Sequence, residues 1–200
     1  MDDRAHERIG VFGGTFDPPH AGHVATALEV GHALALDRVL MVVANDPWQK
    51  TGIRTITPAP LRLAMTEAAV AGCAGLEVSR LELDRSGPSY TADTLAELAG
   101  AGSAPSLFLI IGSDAAAGLD TWDRPAEVRR LATTVVVDRG GREGGRPPAG
   151  WEHRVVEVPA MEVSSSDLRR RVAAGEPIRG LVPRAVADVI EAEGLYRETG

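Results

Sequence analysis

Short apolar, β-branched runs alternate with segments of helical periodicity along nearly the whole chain. "RIGVFGG" (8–14) is followed by "VATALEVGHALAL", "RVLMVVAND" by "PAPLRLAMTEAAVAG", and "LEVSRLEL" by "TADTLAELAGA". The rhythm continues with "SLFLIIGSD", the helical "RPAEVRRLA", the strands "TTVVVDRGG" and "RVVEVPAMEV", and two closing helices, "SSDLRRRVAAG" and "PRAVADVIEAEG". Period-two or continuous apolar runs predict strands, and a 3.6-residue period predicts helices. Helix stop and start signals agree: Pro58 and Pro183 suit a first helical turn, Ser164 or Ser165 can cap the next-to-last helix with Asp167 in its first turn, and Gly175 and Gly194 end the last two.

Continuous runs such as "LFLII" and "TVVV" predict strands buried on both faces, and strand-helix-strand alternation predicts parallel pairing through right-handed crossovers. The expected fold class is therefore α/β, a Rossmann-like doubly wound parallel sheet with helices on both faces. At 200 residues, without an internal repeat or a linker, one domain over 1–200 is expected, with the C-terminal helices (about 164–194) carrying part of the site. The segment "RGGREGGRPPAG" (139–150) is expected to be a mobile surface loop rather than a phosphate cradle.

In such sheets ligands bind beyond the carboxyl ends of the strands, where the strand order reverses. The chemically unusual residues fall there. "GGTFDPPHAGH" (13–23) follows the first strand, "NDPWQK" (45–50) the second, "SGPSYT" (86–91) the third, "GSD" (112–114) and nearby "TW" the fourth, and "SSSDLR" (164–169) the last. Loops distant in sequence should share one rim.

Charge and cysteine content narrow the chemistry. A net charge of −7 is the wrong sign for general attraction to nucleic acid, so any anion must be met by a local site. A single cysteine, Cys73, excludes an internal disulfide framework and a multi-cysteine metal site and fits a reducing cytoplasm. The opening "MDDRAHER" lacks the basic and apolar regions of a signal peptide, and no apolar run approaches a membrane span, so a soluble, cytoplasmic protein is expected. Every basic side chain except Lys50 is arginine, which has two readings: an arginine-rich compositional bias with one lysine left over, or a position where a compact ammonium serves and a planar fork does not.

The loop at 13–23 lacks the GKS or GKT of a P-loop and does not fit GxGxxG. His20 and His23 have no third histidine or cysteine at zinc spacing, so no protein metal site is expected. Phosphate binding fits better. Gly13 and Gly14 let backbone amides approach an anion, Pro18 and Pro19 stiffen the loop, and a helix opening near Gly22 and His23 aims unpaired amides at the same space. The imidazoles add donors when neutral and charge when protonated, which suits a nucleoside triphosphate.

"GGTFDPPHAGH" resembles the GGTFDPxHxGH signature of bacterial nicotinate-nucleotide adenylyltransferases, within the nucleotidylyltransferase superfamily that shares HxGH. "VSSSDLR" (163–169) resembles the family's second signature, ISSTxIR, and "PSYTADTL" together with "GSD" and Trp122 resembles its pyridine-nucleotide site. "NDPWQK" resembles, as a variant, the family's strand-two loop, which usually carries a proline and a lysine; Trp48 inside it is not a general feature, and the insertion at 139–150 has no counterpart in that pattern.

The resemblance implies attack of the phosphate of nicotinate mononucleotide on the α-phosphate of ATP, giving deamido-NAD and pyrophosphate without a covalent enzyme intermediate, with Mg²⁺ carried mainly by the ATP phosphates. It implies catalytic roles for His20, His23, Lys50 and Arg169, with His20 at the transferring centre. ATP is expected to meet Gly13, Gly14, Thr15, Phe16, His20, His23, Gly112, Asp114, Ser164, Ser165, Ser166 and Arg169, Asp114 holding ribose hydroxyls or ordering its loop. The mononucleotide is expected to meet Thr15, Lys50, Tyr90, Thr91 and Trp122, the indole stacking on the pyridine. Neither nucleic acid nor a membrane is expected as a partner. Two other readings stay open: an adenylyltransferase for another phosphorylated acceptor (nicotinamide mononucleotide or phosphopantetheine), and a nucleotide sensor without turnover.

Overall fold

Six parallel strands form one sheet in the order β3-β2-β1-β4-β5-β6, in a computed structural model that describes residues 6–47, 55–100, 104–140 and 144–197. The strands are β1 (Arg8–Gly14), β2 (Arg38–Val43), β3 (Leu76–Ser79), β4 (Ser106–Gly112), β5 (Ala132–Arg139) and β6 (His153–Val158). The helices are α1 (Ala21–Ala33), α2 (Ala59–Val70), α3 (Leu81–Arg85), α4 (Thr91–Gly100), α5 (Ser113–Ala116), α6 (Pro125–Leu131), α7 (Ser165–Ala173) and α8 (Arg184–Ala192), with a 3-10 turn at Leu119–Thr121. From β1 the chain winds outward to β2 and β3, then returns to place β4 on the other side of β1. The loops after β1 and β4 diverge there and leave a crevice at their carboxyl ends.

The buried apolar runs work as expected from their pattern. Along β4, Phe108 and Ile110 face one core with Val30, Met41, Leu63 and Val135. Leu107, Leu109 and Ile111 face the other, with Val11, Leu95, Leu119, Val128 and Trp151. A third core joins the closing helices to α2: Leu168, Val186 and Ile190 pack with Met65 and Ala69. Docking α8 on α2 carries α7 to the rim of the sheet, so an apolar contact remote from ligand fixes where Arg169 stands.

Four expectations change. "LEVSRLEL" is not one strand: pairing with β2 ends at Ser79, and α3 follows, its Glu82 buried and accepting the Thr94 hydroxyl at 2.6 Å. The short elements α5 and 119–121 lie where no helix was expected; at four and three residues they are too brief to produce a visible periodicity. The described part of the segment expected to be a mobile surface loop, 144–150, is instead tied down. Arg146 grips the buried Asp138 with both nitrogens, at 3.0 and 2.6 Å, and that pairing holds the carboxyl below its usual range. Gly144 and Gly145 lie so close to Ser113 that a Cβ at either would overlap it. Pro58 and Pro183 stand one residue before their helices rather than inside them.

Candidate active site

The loop after β1 turns through Phe16, whose φ is 49°, and enters α1 with His20 as its N-cap. Phe16 is buried in the core and presents its ring edge-on to His23, with centroids 5.1 Å apart at 86°. The Phe16 ring itself requires a glycine at position 14, since a Cβ there would stand 2.7 Å from the Phe16 Cζ. Gly13 differs: nothing lies within 4 Å of a Cβ built on it, and it faces open cavity.

His20 and His23 stack, with centroids 3.7 Å apart and planes 25° from parallel. The His20 backbone amide donates to His23 Nδ1 at 3.2 Å, so the proton of neutral His23 resides on Nε2. His20 is 4% exposed, and its Nδ1 is buried with no hydrogen-bond partner. Burial first, and the neighbouring Arg139 guanidinium second, lower its pKa to about 4. The expected option of a protonated imidazole therefore does not hold for His20 in the ligand-free protein at neutral pH. It is a neutral ring there, and the positive charge beside it comes from Arg139.

Two cavities open on this loop. One, of about 340 Å³, is lined by His20, His23, Arg139, Ser164, Ser166 and Arg169 together with residues 14–17. The other, also about 340 Å³, is lined by Gly13, Ser89, Tyr90, Thr91, Gly112 and Trp122 among others. Gly14 and Thr15 border both, so the two cavities meet at the carboxyl end of β1. Imidazoles, guanidinia and helix-start amides make the first a site for an anion. An indole and a phenol beside the N-terminus of α4 suit the second to a flat ring bearing a negative group.

Each of the three serines at the start of α7 already has a protein partner. Ser164 caps the helix by accepting the Asp167 amide at 3.1 Å, Ser166 accepts Arg169 Nη2 at 3.1 Å, and Ser165 donates to the Pro18 carbonyl at 2.8 Å. Acceptance leaves the Ser164 and Ser166 protons for a ligand; the Ser165 proton is used to hold the loop. Arg169 likewise donates through Nη1 to the Asp17 carbonyl at 2.7 Å. Asp114 is exposed on the first turn of α5 and lines neither cavity, whereas its neighbours Gly112 and Ala115 line the second. Lys50 and Trp48 lie outside the described residues.

The cytidylyltransferase-like family matches residues 11–171. Proteins named "Probable nicotinate-nucleotide adenylyltransferase" are similar over almost the full length. That of Corynebacterium kroppenstedtii is 44% identical over 98% of this chain and 93% of its own, and that of Roseiflexus sp. is 46% identical over 94% and 98%. The chain belongs to the nicotinate-nucleotide adenylyltransferase family. The fold is that of the Plasmodium falciparum nicotinic acid mononucleotide adenylyltransferase complexed with NaAD, with a TM-score of 0.78 at 17% identity, covering 96% of this chain and 98% of that one.

In this adenylyltransferase scaffold two important residues escape a motif-based reading. Arg62, 1% exposed on α2, donates to the carbonyls of Thr57, Thr15, Ala44 and Asn45 at 2.7, 2.9, 2.6 and 3.0 Å. It ties the loop after β1 to the loop after β2. Its only sequence signal is a charge on the apolar face of "PLRLAM". Arg139 ends β5 and lines the anion cavity; its signal was its position at a strand end on the shared rim.

Proposed function

We propose that the protein transfers the adenylyl group of ATP to nicotinate mononucleotide, giving deamido-NAD and pyrophosphate, as a cytoplasmic step of NAD biosynthesis. The observation that carries this reading is the meeting of an anion cavity and an aromatic cavity at Gly14 and Thr15. A triphosphate in the first and a pyridine mononucleotide in the second bring two phosphates together over the β1 rim. An oxygen of the mononucleotide phosphate forms a bond to the α-phosphorus, the bond to the bridging oxygen breaks, and pyrophosphate leaves with that electron pair. A phosphate monoester is already a nucleophile at neutral pH, so no side-chain base is required and the protein's work is alignment and charge stabilisation.

Neutral His20, at the transferring centre, and His23 donate to phosphate oxygens, and the amides opening α1 and α7 add partial positive charge. Arg139 and Arg169 supply fixed charge to the triphosphate, and Lys50 is assigned to the phosphates of the two substrates on the sequence pattern alone. Magnesium enters as MgATP. The donors of the anion cavity are N–H and O–H groups and its carboxylate, Asp17, accepts a tyrosine, a set that fits phosphate oxygens and leaves the ion on the nucleotide.

In the second cavity Trp122 stacks on the pyridine, Tyr90 borders it, and Thr91 with the first amides of α4 receives its carboxylate. Asn45 and Ser89 shape that wall: Asn45 N donates to Ser89 Oγ at 2.9 Å and Ser89 N to the Asp46 carbonyl at 3.1 Å. An amide substituent turns its NH₂ toward donors and leaves them unpaired, which costs about 1–3 kcal/mol and gives a roughly ten- to hundredfold preference for the acid. Pyrophosphate release with MgATP and each mononucleotide tests the reading. The acid should support turnover with the higher kcat/KM; no release with either would overturn the proposed reaction, and equal or reversed values would overturn the assignment of the carboxylate pocket.

A further inference from the structure

The C-terminal segment reaches back to the phosphate-binding loop. After α8 the chain turns through Gly194 and then Tyr196, whose φ values are 60° and 62°. For glycine the left-handed region is unremarkable; for a tyrosine it is an outlier that persists only where the surroundings impose it. Here the turn delivers the Tyr196 hydroxyl to Asp17 Oδ1 at 2.7 Å, across 179 residues of sequence. Asp17 is 1% exposed. Its carbonyl is held by Arg169 at 2.7 Å, so one residue of the loop is gripped at its carboxylate and at its backbone by two elements of the C-terminal region.

We infer that Tyr196 is a positioning residue for adenylyl transfer, its hydroxyl fixing Asp17 and thereby the placement of His20 and the start of α1. This rests on the reaction proposed above. Only Pro18 and Pro19 separate Asp17 from His20, and proline rings fix φ, so a displacement of Asp17 passes to His20 with little slack. The contact lies behind the loop: Tyr196 lines neither the anion cavity nor the aromatic one. Burial and the adjoining Asp17 carboxylate both raise the Tyr196 pKa, so the phenol stays protonated and remains a donor across the working pH range. Leu195, its neighbour, packs against the third core and lines neither cavity.

Because alignment matters most in the transition state, loss of the hydroxyl should act on kcat more than on KM. The full-length chain is assayed with MgATP and nicotinate mononucleotide as wild type, Tyr196→Phe and Leu195→Ala, with amide hydrogen exchange followed over residues 12–24. Tyr196→Phe should lower kcat roughly ten- to hundredfold, leave both KM values within about twofold, and speed exchange across the loop. Leu195→Ala should lower Tm while keeping kcat per folded molecule. If Tyr196→Phe does not fold, Asp17→Ala removes the acceptor of the same bond and should give the same kcat loss and loop exchange. A Tyr196→Phe variant with unchanged kcat and unchanged loop exchange would overturn the positioning role, as would a rise in KM for ATP with kcat preserved. An inactive wild type would instead overturn the proposed reaction, and loop exchange would still decide whether Tyr196 orders the loop.

Discussion

Replacing His20 with asparagine should flatten the acid side of the protein's stability profile. The wild-type imidazole has a pKa of about 4 in the folded chain, set first by burial and second by Arg139, against an ordinary value of 6.5. Between those values the unfolded state binds more protons than the folded one, so stability is complete above about pH 6.5 and is lost as pH falls toward 4. Integrating the difference from pH 8 to pH 5 gives about 2 kcal/mol lost through this one group. Urea unfolding at those two pH values should therefore show wild type losing about 2 kcal/mol more than His20→Asn, because the other acid-titrating groups are common to both proteins and cancel. Arg139→Gln should remove less than half of the excess, since burial is the larger cause. Parallel profiles for wild type and His20→Asn would refute the assignment of a buried, neutral His20. The same linkage reaches the reaction: a triphosphate placed beside the ring counters Arg139, so binding measured below pH 6.5 should take up protons.

His20→Ala and His23→Ala should fold normally and lose roughly 10²-fold or more in kcat, as removal of a preorganised donor does; near-normal turnover in both would refute their role at the phosphates. Arg139→Ala should raise the KM for ATP at least about tenfold through loss of a charged hydrogen bond worth about 1.5–3 kcal/mol, with the KM for the mononucleotide within about twofold; parallel rises in both would place Arg139 elsewhere. Arg62→Met should cost at least about 3 kcal/mol in urea unfolding, because four carbonyls lose their donor, and a loss below about 1 kcal/mol would show that water replaces it.

The class of fold was readable because its signal is redundant. Both faces of β4 are buried, so its central "LFLII" had to be apolar throughout, and the helices beside it had to carry a 3.6-residue period. The loop after β1 stands out for a different reason: glycines, prolines and histidines do chemistry that few other residues can do, and their spacing survives in the string. What the string did not disclose is how the loop is held. Arg62 looks like any helical arginine, and nothing in the sequence shows that the Ser165 hydroxyl donates to the Pro18 carbonyl. The described residues 144–150 misled because glycine-rich composition records conformational freedom and not contact; Gly144 and Gly145 are small so that α5 can lie against them.

The contacts that build the site share a chemistry that explains their silence. Arg62 binds four carbonyls, Arg169 the carbonyl of Asp17, and Ser165 the carbonyl of Pro18. A backbone acceptor is present at every residue, so no complementary side chain records the pairing and no second position in the sequence need betray it. The donors, by contrast, are constrained. One guanidinium reaches Thr15, Ala44, Asn45 and Thr57 because its nitrogens fan out in a plane, and a lysine's three donors leave a single point and cannot span carbonyls on three separate segments. Arg62 and Arg169 are thus set apart from the arginines that pair carboxylates at the surface, such as Arg80, Arg124 and Arg170. Their planar forks clamp the loop after β1 through its backbone, and a substitution by lysine at Arg62 should lose most of that grip although the charge is kept.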